Sequence, residues 1–224
     1  MTCSFPGVSA SLIRPFRLSD IFLVQRLAGQ ATKLNAAQTL LFPHSALFNA
    51  LSAIIPWGDA KVTTYILDQQ GHQLARMGFL QVQKRPNRPE ADLLLLAPAL
   101  DTQFGHPAIW EKLLSHYGTE ASVADIDRVY VDVPYQPLLV NTLRHVGFAP
   151  YCRETIWRLN RDHFYQSIST RQAVMRPRRA DDDWALSRLY TQVTPEPVQR
   201  AEGIQAGETE NPPILRCDGT AVCH

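Results

Sequence analysis

The residues of this chain able to do chemistry are few and scattered. Its four cysteines, Cys3, Cys152, Cys217 and Cys223, have the spacing of neither paired ligand clusters nor a disulfide framework. Cys217, Cys223 and His224 lie close together, but two thiols and one imidazole are one ligand short of a closed zinc site, so no metal is expected and they read as a polar tail. The histidines form no pair with metal or triad spacing, and there is no Gly-x-Ser-x-Gly, Walker or Rossmann signature. Two carboxylates stand out instead. Glu90 and Asp92 precede the leucines at 93–96. Partial desolvation beside such a run raises a carboxyl toward the range of a general base, which makes Asp92 the better candidate and Glu90 the weaker one. The alternative is an ordinary strand-end acid in solvent. Trp57, Trp110 and Trp157 read as core residues.

The elements that must position these residues follow from periodicity. Residues 44–55 read as a helix stopped by Pro56, and residues 61–68 as a β-branched strand. A turn at 69–72 leads to a returning strand at 73–83, and Asn87-Arg88-Pro89 forms a second turn. Residues 91–97 are a nearly all-apolar strand, suited to a central position buried on both faces. Residues 107–117 read as a helix with Pro107 in its first turn. Residues 128–133 alternate as a strand, 137–146 form a helix with Gly147 as C-cap, and 153–159 form a last strand. The order is that of a mixed sheet with helices on both faces, an α/β (α+β) class.

An internal repeat adds a second unit. Residues 13–32, IRPFRLSDIFLVQRLAGQAT, and 175–194, MRPRRADDDWALSRLYTQVT, align without a gap. They match at Arg14/Arg176, Pro15/Pro177, Arg17/Arg179, Asp20/Asp182, Arg26/Arg188, Leu27/Leu189, Gln30/Gln192 and Thr32/Thr194. The offset has the size of a domain rather than of a solenoid repeat. Each copy reads as a short strand ending near Arg-Pro, a polar N-cap (Ser19 or Asp181) and an amphipathic helix. The segmentation is a domain at 11–160, a linker at 161–173, the start of a truncated second domain at 174–203, and a disordered tail at 204–224.

Of the 224 residues 45% are apolar and 19% charged, and the net charge is +1. That balance makes neither nucleic acid nor an anionic membrane an obligate partner. The N-terminus lacks the pattern of a signal peptide, and no apolar stretch reaches the ~18–20 residues of a membrane span. A cytoplasmic, reduced protein is the expectation.

The element order over residues 11–160 resembles the GNAT N-acyltransferase superfamily. The opening Ile13-Arg14-Pro15-x-Arg17-x-x-Asp20 is similar to that family's first strand and helix, and 128–159, with Gly147-Phe148 after its helix, is similar to the family's ending. The start of the second copy resembles the same opening, so the resemblance implies a tandem protein whose second copy is cut short. It further implies acetyl-CoA or another acyl-CoA as co-substrate, bound between strands 91–97 and 128–133, which should run parallel and splay at their C-terminal ends. The acyl group would pass to the amine of a small molecule or peptide, with Asp92 or Glu90 taking up the proton. The ends of those strands and the loop beyond them, Leu96, Ala97, Pro98, Ala99, Gln103, Gly105, His106 and Ala108, are the implied cofactor-binding set.

In the family, small residues let backbone N–H groups close on the pyrophosphate at a helix N-terminus. This chain has Gln103-x-x-His106-x-Ala108, with histidine in place of the first glycine, and Pro107 lacks an N–H. The loop reads either as a weakened phosphate cradle or as a plain strand-to-helix connection. The tyrosine that the family often uses as general acid falls at Leu143, and its usual asparagine at Gln136. The resemblance therefore supports two functions: an acyl-CoA-dependent N-acyltransferase, or a catalytically degenerate GNAT-like scaffold or interaction domain.

Overall fold

The computed structural model describes residues 12–35, 62–68, 77–155 and 176–203, and the chain divides into two units, residues 1–149 and 150–224. The first unit opens with a local motif built by Arg14, Arg17 and Asp20. Strand β1, Leu12–Pro15, ends at proline; a 3₁₀ turn, Leu18–Asp20, follows; helix α1, Ile21–Ala28, then begins. The turn is fixed by Asp20, whose carboxylate accepts from both terminal nitrogens of Arg14 (2.6 and 2.7 Å) and from the Arg17 N–H at 2.8 Å. The expected N-cap at Ser19 is thereby corrected. Ser19 lies inside the 3₁₀ turn, and Asp20, at the α1 N-cap, is the residue that reaches back to the free N–H.

Five further strands complete the sheet: β2 (Thr32–Lys33), β3 (Val62–Asp68), β4 (Gly78–Lys84), β5 (Glu90–Ala97) and β6 (Arg128–Tyr130). β1, β3, β4 and β5 form consecutive antiparallel pairs. The far edge of β5 is shared: β6 lies parallel to it at residues 90–92, and β2 lies antiparallel to it at Leu95 and Leu96. The sheet is thus mixed, and the parallel pair is joined by a crossover through helix α2, Pro107–Val123.

Period-two alternation divides the core between the two faces. On β3, Tyr65 and Leu67 join Leu80, Leu93 and Leu96 beneath Trp110, Leu113 and Tyr117 of α2, and Leu139 and Leu143 of helix α3, Pro137–His145, close the same layer. Val62 and Ile66 face the other way and join Phe79, Leu95 and Ala97 beneath Val24 and Leu27 of α1. The alternation slips on β5. Gln81 pairs with Leu95 and Val82 with Leu93, so Leu94 is an inserted residue, a β-bulge that places Leu94 and Leu95 in the same layer.

Strand 128–133 is shorter than its alternation implies: regular pairing stops at Tyr130, and Asp132 makes one isolated bridge to Asn35. Its partner β5 is already paired elsewhere beyond Leu94. Helix 107–117 continues to Val123, carried by Ala121 on the buried face. α3 ends one residue before the expected bound, with Val146 rather than Gly147 as C-cap; Gly147 follows at φ +97, and the Phe148 N–H returns to the Leu143 carbonyl at 3.1 Å. Residues 153–155 are not in a strand. The helix at 44–55, the turn at 69–72, Trp57, Trp157, residues 156–159, the linker, the tail at 204–224, Cys3 and the Cys217–Cys223–His224 group lie outside the described residues.

The second unit repeats the turn of the opening motif, but residues 176–179 are not in a strand, and Asp181, expected as N-cap, lies inside the turn while Asp182 takes the cap position. Asp182 accepts from Arg176 (2.6 and 2.7 Å) and from the Arg179 N–H at 2.9 Å, and a 3₁₀ turn, Ala180–Asp182, leads into helix α4, Asp183–Val193. A short helix α5, Glu196–Glu202, folds back so that the Tyr190 hydroxyl donates to Glu202 at 2.6 Å. The packing differs between copies. Leu27 is 1% exposed on the sheet, whereas its counterpart Leu189 is 52% exposed.

Candidate functional site

Two places on β5 carry the residues singled out in the sequence, and they lie at opposite ends of the strand. At its start, Glu90 and Asp92 are held by Arg85, which sits across the β4–β5 hairpin. Its Nε and Nη2 donate to the two Asp92 oxygens, each at 2.7 Å, and its Nη1 donates to Glu90 at 2.9 Å. Arg88 reaches the same Glu90 oxygen at 3.3 Å, and the Arg85 guanidinium stacks over Tyr130 at 4.3 Å from the ring centre. Burial works against the charge of Arg85. The bonds and charges of Asp92 and Glu90 more than offset it and hold the guanidinium above its ordinary value. Burial also pushes up the hydroxyls of Tyr117 and Tyr130, with the Asp92 charge adding at Tyr117 and the Glu90 charge at Tyr130. A carboxylate whose two oxygens both accept from one guanidinium is held in place as an acceptor. The arrangement closes the end of the sheet where β5 and β6 are still paired.

At the other end, β5 passes into the loop at 98–106 and helix α2. Gly105 is needed there for packing. A Cβ at this position would stand 2.2 Å from the Ala99 carbonyl oxygen, because the loop folds back on its own backbone. His106 is the N-cap of α2, and its Nδ1 accepts from the Ala108 N–H at 3.3 Å, while the Ile109 N–H goes to the His106 carbonyl at 2.9 Å. Pro107 lacks an N–H, and the Ala108 and Ile109 donors are both taken by His106. Leu96 and Ala97 are buried in the two core layers, the Pro98 carbonyl accepts from the Trp110 indole at 2.8 Å, and Gln103 is exposed on a turn.

A crevice of about 350 Å³ opens beyond the C-terminal ends of β5 and β6. Its walls include Gln30, Thr32, Ala99, Asp101, Gln136 and Leu139. Of the cofactor-binding and catalytic candidates from the sequence, Ala99 alone lines it, together with Gln136, the position matched to the resemblance's asparagine. α3 begins at its edge with Gln136 as N-cap, and no side chain caps its first N–H groups. Among the described residues the buried Gln30 Oε1 has no hydrogen-bond donor. Glu90 and Asp92 are remote: five residues of extended strand separate Asp92 from Ala97, about 17 Å. The carboxylate at the crevice is Asp101, and Leu143 is buried in the core.

Hairpin register was the signal for Arg85, since it faces Glu90 across the turn; Asp101 carried none, being one of several polar residues in an irregular loop. Among the described residues there is no cluster of three metal-ligating side chains, and no helix is long and apolar enough to cross a membrane. Comparison with known proteins finds no matching family model, no similar curated protein and no similar solved structure.

Proposed function

We propose that residues 12–149 are a GNAT-like module in which an acyl-CoA enters between β5 and β6 and its acyl group passes to an amine of a small molecule or peptide. The observation that carries this reading is the parallel β5–β6 pair, joined by a crossover helix, paired only at its start and bordered by a crevice at its C-terminal ends. In open α/β sheets that end is where ligands bind. Within this reading the amine nitrogen bonds to the thioester carbon, Asp101, which stands at the crevice as Asp92 does not, takes up the amine proton, and the C–S bond breaks to release CoA thiolate, which solvent protonates. The uncapped start of α3 supplies donors to the thioester oxygen.

The second reading is a catalytically degenerate scaffold. It is favoured by His106, which takes up an α2 donor that would otherwise face phosphate, and by Arg85, which engages both carboxylates first considered as bases. Incubation of the full chain with acetyl-CoA and a panel of primary amines, read as acetylated product by mass spectrometry, tests the two. Product formation that falls at least tenfold in Asp101→Asn but not in Gln103→Ala supports transfer. Absence of product with every amine supports the scaffold.

A further inference from the structure

The gap between β5 and β6 is not empty. Where the two strands diverge, residues 32–35 lie between them. Thr32 and Lys33 pair with Leu96 and Leu95, the Leu34 N–H donates to the Leu94 carbonyl at 2.8 Å, and the Asp132 N–H donates to the Leu34 carbonyl at 2.8 Å. Leu34 alone thus bridges both sides, and the separation it spans is two strand spacings, about 10 Å. Just upstream, the Ala99 N–H donates to the Gln30 carbonyl at 2.6 Å. The polar backbone groups of β5 beyond the bulge, which an extended ligand would use, are therefore taken by the chain itself.

The closure is short and imperfect. β2 has two paired residues. The segment enters through Gly29, which has open space on its Cβ side, and leaves the Gln30 Oε1 buried with no partner among the described residues. Leu34 is its one fully buried apolar residue, in the layer with α2 and α3, while Ala31 packs only partly buried against the other layer. We propose that residues 30–35 form a displaceable internal strand that occupies the β5–β6 gap and must lift out as a unit before an extended ligand can pair with β5. This rests on the acyl-CoA reading only for the identity of what enters.

The test is native-state hydrogen exchange on the full chain. The amides of Leu34, Ala99 and Asp132 should exchange through one shared opening, about a hundredfold or more faster than the slowest amides of β4. Leu34→Ala should accelerate all three together and leave the β4 amides unchanged. Saturating acetyl-CoA should strip protection from Leu34. Fast shared opening with no response to acetyl-CoA supports the displaceable strand and counts against the acyl-CoA reading. Protection of the three amides equal to that of β4, or exchange that is independent at each, overturns the proposal.

Discussion

Replacing Asp20 by asparagine removes the acceptor that organises the opening motif. The carboxylate is 8% exposed and accepts three bonds, two from Arg14 and one from the Arg17 N–H. An amide keeps one oxygen and turns its NH₂ toward a guanidinium that is itself only 18% exposed. Breaking a buried pair on one side costs ~3–5 kcal/mol, and partial exposure of Arg14 places this case near the low end, about 3 kcal/mol. For a domain of this size that is a fall in Tm of roughly 6–12 °C. Asp182→Asn is the internal control. The bonds have the same geometry, but Arg176 is 50% exposed and among the described residues no buried side chain packs on the motif, so Tm should not move.

The pH dependence follows from the same contacts. Burial raises the Asp20 carboxyl, but the bonds from Arg14 and the Arg17 N–H and the charges of both arginines outweigh it, and the net is below the ordinary value. A group depressed in the folded state contributes stability above its unfolded value, near 3.9, and loses it as pH falls through the folded one. The gap between wild type and Asp20→Asn, followed by thermal melts monitored by circular dichroism, should be full at neutral pH and close below about pH 4. Asp182 is drawn down to about 2 by Arg176 first and then by the Arg179 N–H, yet its substitution should leave the curve unmoved. Equal losses in the two variants, or a gap that widens in acid, would refute the argument that burial rather than bond geometry decides the contribution.

Other outcomes follow from the packing. Leu27→Ala should cost ~2–5 kcal/mol in urea melts, whereas Leu189→Ala, on the exposed copy of the same helix, should stay within about 0.5 kcal/mol. Arg85→Met leaves Glu90, 4% exposed, with only the longer contact to Arg88, and should lower stability by about 3 kcal/mol in the same assay. Asp92→Asn should lower stability without lowering any acetyl transfer, since the residue stands remote from the crevice; Asp101→Asn should do the reverse.

The strands and their faces were legible because burial writes itself into spacing. The apolar run at 91–97 announced a strand covered on both sides, and β5 is that strand. The repeat was legible for the same kind of reason, since Arg14, Arg17 and Asp20 act through backbone geometry within seven residues and recur as Arg176, Arg179 and Asp182. What spacing does not encode is which groups already have partners. Gly105, His106 and Ala108 have the composition of an anion loop. Gly105 instead serves close backbone packing, and His106 caps its own helix. The segment at 32–35 carries no period of its own, and its place between β5 and β6 depends on contacts with residues 94 and 132, distant in sequence. The bulge at Leu94 was hidden within consecutive leucines, where a slip of one residue leaves the pattern unchanged.

The acyl-CoA reading meets its most direct test in calorimetric titration of acetyl-CoA into the full chain and into the double variant His106→Gly, Pro107→Arg. In the wild-type α2 the Ala108 and Ile109 N–H groups are already taken by His106, and the variant restores the N–H groups at 107 and 108. Each donor regained toward a charged group is worth ~1.5–3 kcal/mol, so binding should be weak in the wild type and about tenfold to a hundredfold tighter in the variant. Heat of binding absent from both proteins would contradict the account and leave residues 12–149 as a scaffold.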